Sequence, residues 1–255
     1  MTRTPLVPLG LEVTDEPLAP PAELRPLLAA HGVVVFRDRH DLDDAAFTAW
    51  LRQFGDLMFT VGEQPLPGHP DLNVISNVGR TTPPRSVFHV DTSYVSEPPS
   101  YTALRTVQIP EQGGETVFSN QYRAYETLPD VVRSRLAGRT IRHEVTGVDP
   151  GSQQEHEAWH PVFRPHPLTG RLSLYLSTPQ RCTAISGLPD DEAAPLIEML
   201  YAHSTQETNC YRHSWRPGDV VVWDNACVLH RADHSGVVGD RVMHRGMVSA
   251  GGYRL

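Results

Sequence analysis

Three scarcities narrow the field before any motif is considered. No apolar run in the 255 residues approaches the roughly 18 needed to span a bilayer, so no membrane-embedded role is expected. Positive charge is not in excess either: 22 basic against 30 acidic residues leave a net charge of −8 and a pI near 5.9. Nucleic acid and anionic membrane surfaces both require a basic face, so neither is an expected partner, and a small-molecule substrate is. Cysteine is the third. Cys182, Cys210 and Cys227 form an odd set without CxxC or CxxxxC spacing, which argues against a disulfide framework or a structural zinc site and in favour of buried thiols. The segment MTRTPLVPLG lacks the charged head and apolar stretch of a signal peptide, so a cytoplasmic location is expected.

What is present is a chain broken into short pieces by 23 prolines and 19 glycines, with 39% hydrophobic residues to fill a core. A single domain spanning residues 1–255 is expected. Helical spacing of apolar residues predicts amphipathic helices over Pro21–Ala30 and Leu42–Phe54. Further helices are predicted over Tyr122–Leu136, interrupted at Leu128-Pro129, and over Asp190–His203. The β-branched run Gly32–Arg37 reads as a buried strand. Other strands are suggested at Asn73–Ser76, Ser100–Gln108, Glu115–Ser119, Arg139–Val145, Arg171–Leu176, Asp219–Trp223 and Arg241–Ser249. Short strands divided by turn signals such as Gly113-Gly114 and Pro217-Gly218, with helices outside, predict a mainly β fold with flanking helices, a jelly roll.

Chemistry is carried first by His89-Val90-Asp91. Two imidazoles and one carboxylate on one face of an octahedron leave three positions for co-substrate and O2, which is the ligand set of mononuclear iron(II) oxygenases. On a strand, residues i and i+2 point the same way, so His89 and Asp91 are expected to face the interior together. A His-x-acid triplet is weak alone, since one arises easily by chance among 13 histidines and 30 acidic residues. A second, His69-Pro70-Asp71, is indeed present and is set aside as a proline-bearing turn. His31, His40, His69 and His143 read as surface or hydrogen-bonded residues. Two features raise the first triplet: its apolar flanks Phe88 and Val90, and a downstream partner, where Val220-Val221-Val222-Trp223 runs into Asp224-Asn225 and delivers His230. A 2-oxoglutarate co-substrate chelating such a metal needs a buried guanidinium for its distal carboxylate. Arg241 and Arg245 lie on one face of an expected strand and offer two candidates, beside the plainer reading of surface arginines.

These residues, in this order, resemble the taurine dioxygenase (TauD/TfdA) family of Fe(II)/2-oxoglutarate dioxygenases. The resemblance runs through Phe54-Gly55-Asp56-Leu57, Phe88-His89-Val90-Asp91, Gly113-Gly114-Glu115-Thr116, Ala124-Tyr125-Glu126, His160-Pro161-Val162-Phe163-Arg164, Arg216-Pro217-Gly218-Asp219, Trp223-Asp224-Asn225, His230 and Arg241 to Arg245. It implies a double-stranded β-helix of the cupin-like kind, with iron on His89, Asp91 and His230. It also implies 2-oxoglutarate and O2 as co-substrates, and Thr116 and Arg241 on the C5 carboxylate. Arg245 is implied near the iron, serving the substrate anion or the co-substrate C1 carboxylate. His160 to Pro167 reads as framework.

The departures from the family pattern bear on substrate. Where taurine-type members place sulfonate-gripping histidines, this chain has Met58, Phe59, Thr60 and Val61, so taurine itself is not expected. Arg85 stands four residues before the first metal histidine in place of an asparagine, and with Arg245 it would bracket a carboxylate-bearing anion or zwitterion, unless it is a solvated loop residue. Thr60 and Tyr94 are further substrate candidates, and Tyr94, Phe59 and Phe118 are candidates to shield the oxidant. Asp91 argues against halogenation, which needs a small residue there. The expected reaction is hydroxylation of an unactivated C–H with release of succinate and CO2. Desaturation, cyclisation or isonitrile formation from an N-carboxymethyl amino acid stay open, as does a homo-oligomer. Two readings of other classes are a non-catalytic metal- or ligand-binding sensor and a metallohydrolase, which gives no reason for Thr116 and Arg241.

Overall fold

The architecture grows from a period-two pattern in two valine runs. Val33–Phe36 and Val220–Asp224 are buried along their whole length, and they pair antiparallel with Val220 opposite Phe36 and Trp223 opposite Val33. Their alternate residues serve two cores. Val34, Phe36, Val220 and Val222 meet Leu24, Leu28, Phe47, Trp50 and Leu51 of the helices Pro21–His31 and Asp44–Arg52. Val33, Val35, Val221 and Trp223 pack from the other face with Phe118, Val228 and Met243. A strand apolar on both faces must be covered on both, and here helices cover one and a second sheet the other.

The computed structural model describes residues 2–60, 62–80, 86–152 and 154–254. Its large sheet runs in the order Thr2–Pro5, Leu11–Thr14, Val33–Phe36, Val220–Asp224, Tyr101–Gln108, Val242–Val248, His69–Ser76 and Pro65–Leu66, with Leu57–Met58 also pairing on Val242–Val248. Facing it is a sheet of Cys210–His213, Thr116–Asn120 and Val228–Ala232. The result is the jelly roll that the alternation predicts. A third sheet, Glu157–Pro161, Thr140–Glu144 and Cys182–Ile185, carries the helix Asp190–Ser204, whose Ile197 and Leu200 pack with Ile141 and Ile185 of the sheet.

The expected helices form with small shifts at their ends. Asp43 caps Asp44–Arg52 by accepting from the Ala46 amide at 2.7 Å, a contact worth about 1 kcal/mol. Leu128-Pro129 divides the predicted third helix into Gln121–Glu126 and Asp130–Leu136. Two expectations need correction. His69-Pro70-Asp71 is the start of the strand His69–Ser76 and not a turn. Proline is tolerated there because pairing with Val242–Val248 begins only at Leu72, and the register toward Pro65–Leu66 is irregular. His89 and Asp91 do not share a strand: His89 makes an isolated bridge to His230, and Asp91 opens a turn. Of the cysteines, Cys182 and Cys227 are buried as expected, while Cys210 is half-buried; all three are free thiols.

Candidate active site

His89 and His230 are joined before their side chains meet. Each backbone amide donates to the other's carbonyl, at 3.0 Å and 3.1 Å, and this reciprocal pair extends the small sheet past the strand Val228–Ala232 that carries His230. The rings lie 4.3 Å apart between centroids. Asp91 completes the group: its Oδ1 is 3.6 Å from His89 Nε2 and its Oδ2 3.8 Å from His230 Nε2. One donor atom from each residue falls within 4.8 Å of the other two. His89 Nδ1 donates to the Val87 carbonyl at 2.9 Å, so its Nε2 keeps the lone pair facing the group.

Neighbouring residues hold Asp91 in place. Thr102 Oγ1 donates to Asp91 Oδ2 at 2.8 Å and accepts from Asn225 Nδ2 at 2.9 Å, which ties the carboxylate to one strand of the large sheet and to the turn that follows another. Next to it, Thr92 has φ of +46°, a left-handed conformation that costs a β-branched residue on the order of 1–3 kcal/mol. Its hydroxyl is paired with that of Thr60 at 3.0 Å. Burial raises the affinity of Asp91 for a proton, but His230, the Arg245 guanidinium and the His89 hydrogen bond outweigh it and hold the carboxyl well below the usual range. Burial likewise takes His230 down to about 3, with His89 and Arg245 adding to the effect against the pull of Asp91. The set therefore offers an ionised carboxylate, the neutral imidazole of His230 and the inward-facing Nε2 of His89, which fits a divalent iron ion on one face.

Behind this group lies a second polar cluster. Arg241, 1% exposed, donates through Nε to the Gly114 carbonyl at 2.8 Å and through Nη2 to Thr116 Oγ1 at 3.3 Å. Trp215 Nε1 donates to the same hydroxyl at 3.1 Å. Gly114 has φ of +78°, and a Cβ there would meet Arg241 Cδ at 3.0 Å, so the glycine lets backbone and guanidinium close on each other. Among the described residues no carboxylate lies within 4 Å of Arg241, and burial brings its guanidinium down to about 10, still protonated at neutral pH. A buried cation held only by neutral acceptors suits an anionic ligand. The chain contains no lysine, so every such cation is a fork-shaped guanidinium.

His89, Asp91, His230, Thr116, Arg241, Arg245, Thr60 and Tyr94 all line one cavity of about 610 Å³. Arg85 and Val61 lie outside the described residues. Phe59 and Phe118 are not among the lining side chains; Phe118 stands behind the His230 ring, 6.5 Å between centroids. Arg245 is not the open cation that its position on the strand suggested. It is 3.4 Å from Asp91 Oδ1 and 3.3 Å from Asn73 Oδ1, and its Nη2 is in direct contact with the Glu63 carboxylate. Sequence reasoning missed Glu63, Asn73 and Thr102. A lone acid in Gly62-Glu63-Gln64, just before the strand Pro65–Leu66, and a polar residue in a strand carry no local signal, because their significance lies in what the fold sets opposite them. His160 and His166, expected as framework, bond to the Ser93 carbonyl and Asp224 at 2.9 Å each.

Three histidines outside the group, His143, His160 and His213, are buried and held below their ordinary value chiefly by that burial, His160 at about 4. The unfolded chain protonates them near pH 6.5, whereas the folded chain does not until lower pH. Stability should therefore be complete above about 6.5 and fall as the pH drops toward 4, by up to about 1.4 kcal/mol per pH unit for each histidine. Urea midpoints of the metal-free protein at pH 7.5, 6.0 and 5.0 check this; a flat series would contradict it.

Comparison with known proteins agrees with this geometry. The family model described as taurine catabolism dioxygenase TauD, TfdA family matches residues 3–247. The chain is 31% identical to an alpha-ketoglutarate-dependent 2,4-dichlorophenoxyacetate dioxygenase of Burkholderia sp. (strain RASC), over 88% of this chain and 85% of that one. It is 26% identical to an alpha-ketoglutarate-dependent sulfate ester dioxygenase of Pseudomonas putida, over 88% and 81%. The crystal structure of a taurine dioxygenase from Burkholderia xenovorans superimposes with a TM-score of 0.82 at 31% identity, covering 97% of this chain and 90% of the other. Alpha-ketoglutarate is 2-oxoglutarate, and with Fe(II) and O2 it completes the requirements of these oxidoreductases. The chain accordingly belongs to the TauD/TfdA family of Fe(II)/2-oxoglutarate-dependent dioxygenases.

Proposed function

We propose that His89, Asp91 and His230 hold the iron, that Arg241 and Thr116 receive the C5 carboxylate of 2-oxoglutarate, and that the enzyme hydroxylates a small carboxylate-bearing anion or zwitterion. The observation that carries this reading is the meeting, in one cavity, of a group of three possible metal donors and a buried guanidinium without a carboxylate partner among the described residues. When bound, the iron couples O2 activation and decarboxylation of the co-substrate, to succinate and CO2, with oxidation of a C–H bond. The chain's own residues do the rest. Arg241 and Thr116 fix one end of the co-substrate, so that its keto-acid end is held toward the three ligands. Trp223 and Leu104 line the wall and help to keep water from the reacting carbon.

Arg245, Thr60 and Tyr94 stand on the substrate side of this reading, and Arg80 lines the same cavity. Glu63 beside Arg245 sets a negative group next to a positive one, a pairing that a zwitterion would satisfy and that a simple anion must displace. The names of the phenoxyacetate and sulfate ester relatives support anion recognition, and a cavity of about 610 Å³ suits a small molecule. Among the described residues no helix is long and apolar enough to cross a membrane, which is compatible with a cytoplasmic enzyme.

Anaerobic titration of the Fe(II)-loaded protein with 2-oxoglutarate should raise a weak visible charge-transfer band, and a screen for succinate release should then identify the substrate. The screen begins with amino acids, their N-acyl and N-alkyl derivatives and small carboxylates. Absence of the band, or succinate release that persists after iron is chelated away, would sink the proposal.

A further inference from the structure

One polar side chain of the cavity wall has no role in the account above. His234 lines the cavity with Thr116 and Arg241, yet both its ring nitrogens are shielded from solvent and neither has a hydrogen-bond partner. Leaving such a group unpaired costs roughly 1–3 kcal/mol, so its persistence calls for an explanation. Metal binding is not that explanation, since among the described residues His234 joins no cluster of ligating groups.

Nor is the ring there by looseness of the chain. Asp233 Oδ1 accepts from the Ser235 amide at 3.1 Å and from its hydroxyl at 2.6 Å, Asp233 Oδ2 accepts from Arg212 at 2.6 Å, and the Asp233 amide donates to the Glu115 carbonyl at 2.8 Å. Further along, the Val238 amide donates to the Gln112 carbonyl at 3.0 Å, and Val238 accepts from Glu111 at 2.9 Å. His234 is thus pinned on both sides to the Gly113-Gly114 turn, the same turn whose carbonyl holds Arg241. Burial first, then the positive charge of Arg241, with Arg80 adding a smaller part against the pull of Asp233, holds the imidazole below its ordinary value. It is therefore a neutral ring with one N–H to donate, near a buried guanidinium held only by neutral acceptors.

We propose that His234 is a third donor to the distal carboxylate of 2-oxoglutarate, completing with Arg241 and Thr116 the pocket that distinguishes a dicarboxylate from a simple keto acid. The inference rests on the assignment of that pocket to 2-oxoglutarate. Its test uses two ligands with the same keto-acid head: 2-oxoglutarate, and 2-oxobutyrate, which lacks the distal carboxylate. Binding of each to the Fe(II)-loaded protein is measured anaerobically by calorimetry.

His234→Phe should weaken 2-oxoglutarate roughly tenfold and leave 2-oxobutyrate unchanged, as expected for one hydrogen bond to a charged group. His234→Gln, which retains an N–H donor, should recover most of the loss. The metal-free His234→Phe protein should melt no lower than the wild type, because an unpaired buried polar group has been removed. Equal weakening of both ligands would mark His234 as merely structural, and a 2-oxoglutarate affinity within twofold of wild type would remove it from the site. Arg241→Met serves as the reference. If it weakens 2-oxoglutarate while His234→Phe does not, only the role of His234 fails; if neither does, the co-substrate assignment fails first.

Discussion

Replacement of His230 by alanine should lower turnover by about a thousandfold or more, with the anaerobic charge-transfer band lost along with it. The expectation is large because a facial set of three has no spare donor, and Asp91 and His89 alone would leave the ion with two of its three protein ligands. It is also specific, because the fold should survive. The strand around His230 is held through its backbone, by the reciprocal pair with His89 and by the ladder to Thr116–Asn120, neither of which needs the imidazole. Loss of packing against Trp223, 4.4 Å away between centroids, is offset by removal of the buried, unpartnered Nδ1. The stability cost should stay within about 2 kcal/mol. Succinate release at saturating iron and co-substrate, with a urea midpoint for the same variant, separates the two effects. Turnover within tenfold of wild type would exclude His230 as a ligand.

Replacing Arg241 by methionine should move two quantities in opposite directions. Affinity for 2-oxoglutarate should fall roughly a hundredfold, since a buried, hydrogen-bonded charge loses its partner. The metal-free protein should become more stable, by about 1–3 kcal/mol, because a desolvated guanidinium with only neutral acceptors gives way to an apolar chain of similar length. The pH dependence has the same sign. With Arg241 held at about 10, the folded state is penalised at every lower pH and relieved only as the pH rises from there toward the ordinary arginine value of 12.5. Arg241→Lys should recover little, for an ammonium lacks the planar fork. Loss of both affinity and stability on Arg241→Met would instead mean that the guanidinium is a structural strut.

The convergence of His89, Asp91 and His230 was legible because it depends on short sequence patterns: an acid two residues after a histidine, and a second histidine after an apolar strand. The geometry behind it was not. A strand was the natural reading of His89-Val90-Asp91, but the chain makes a single bridge and then turns through the left-handed Thr92, and no local propensity announces a threonine there. The valine-rich centre of the large sheet was equally readable, since burial on both faces writes itself as an unbroken apolar run. Its margins were not, because Thr2–Pro5, Pro65–Leu66 and the start of His69–Ser76 contain prolines, which forbid a central strand and are tolerated at an edge. Arg245 illustrates a different limit. The strand pattern left it open between a buried cation and a surface arginine, and its pairing with Glu63 depends on a loop 182 residues away in sequence.

The division of labour around the cavity has an evolutionary corollary. Thr116, His230 and Arg245 stand on paired strands, whereas Thr60 and Glu63 lie outside the strands, between Leu57–Met58 and Pro65–Leu66. Drift in that stretch leaves the ladder untouched, so a descendant can acquire a new diet by altering a handful of positions while inheriting its oxidising machinery intact.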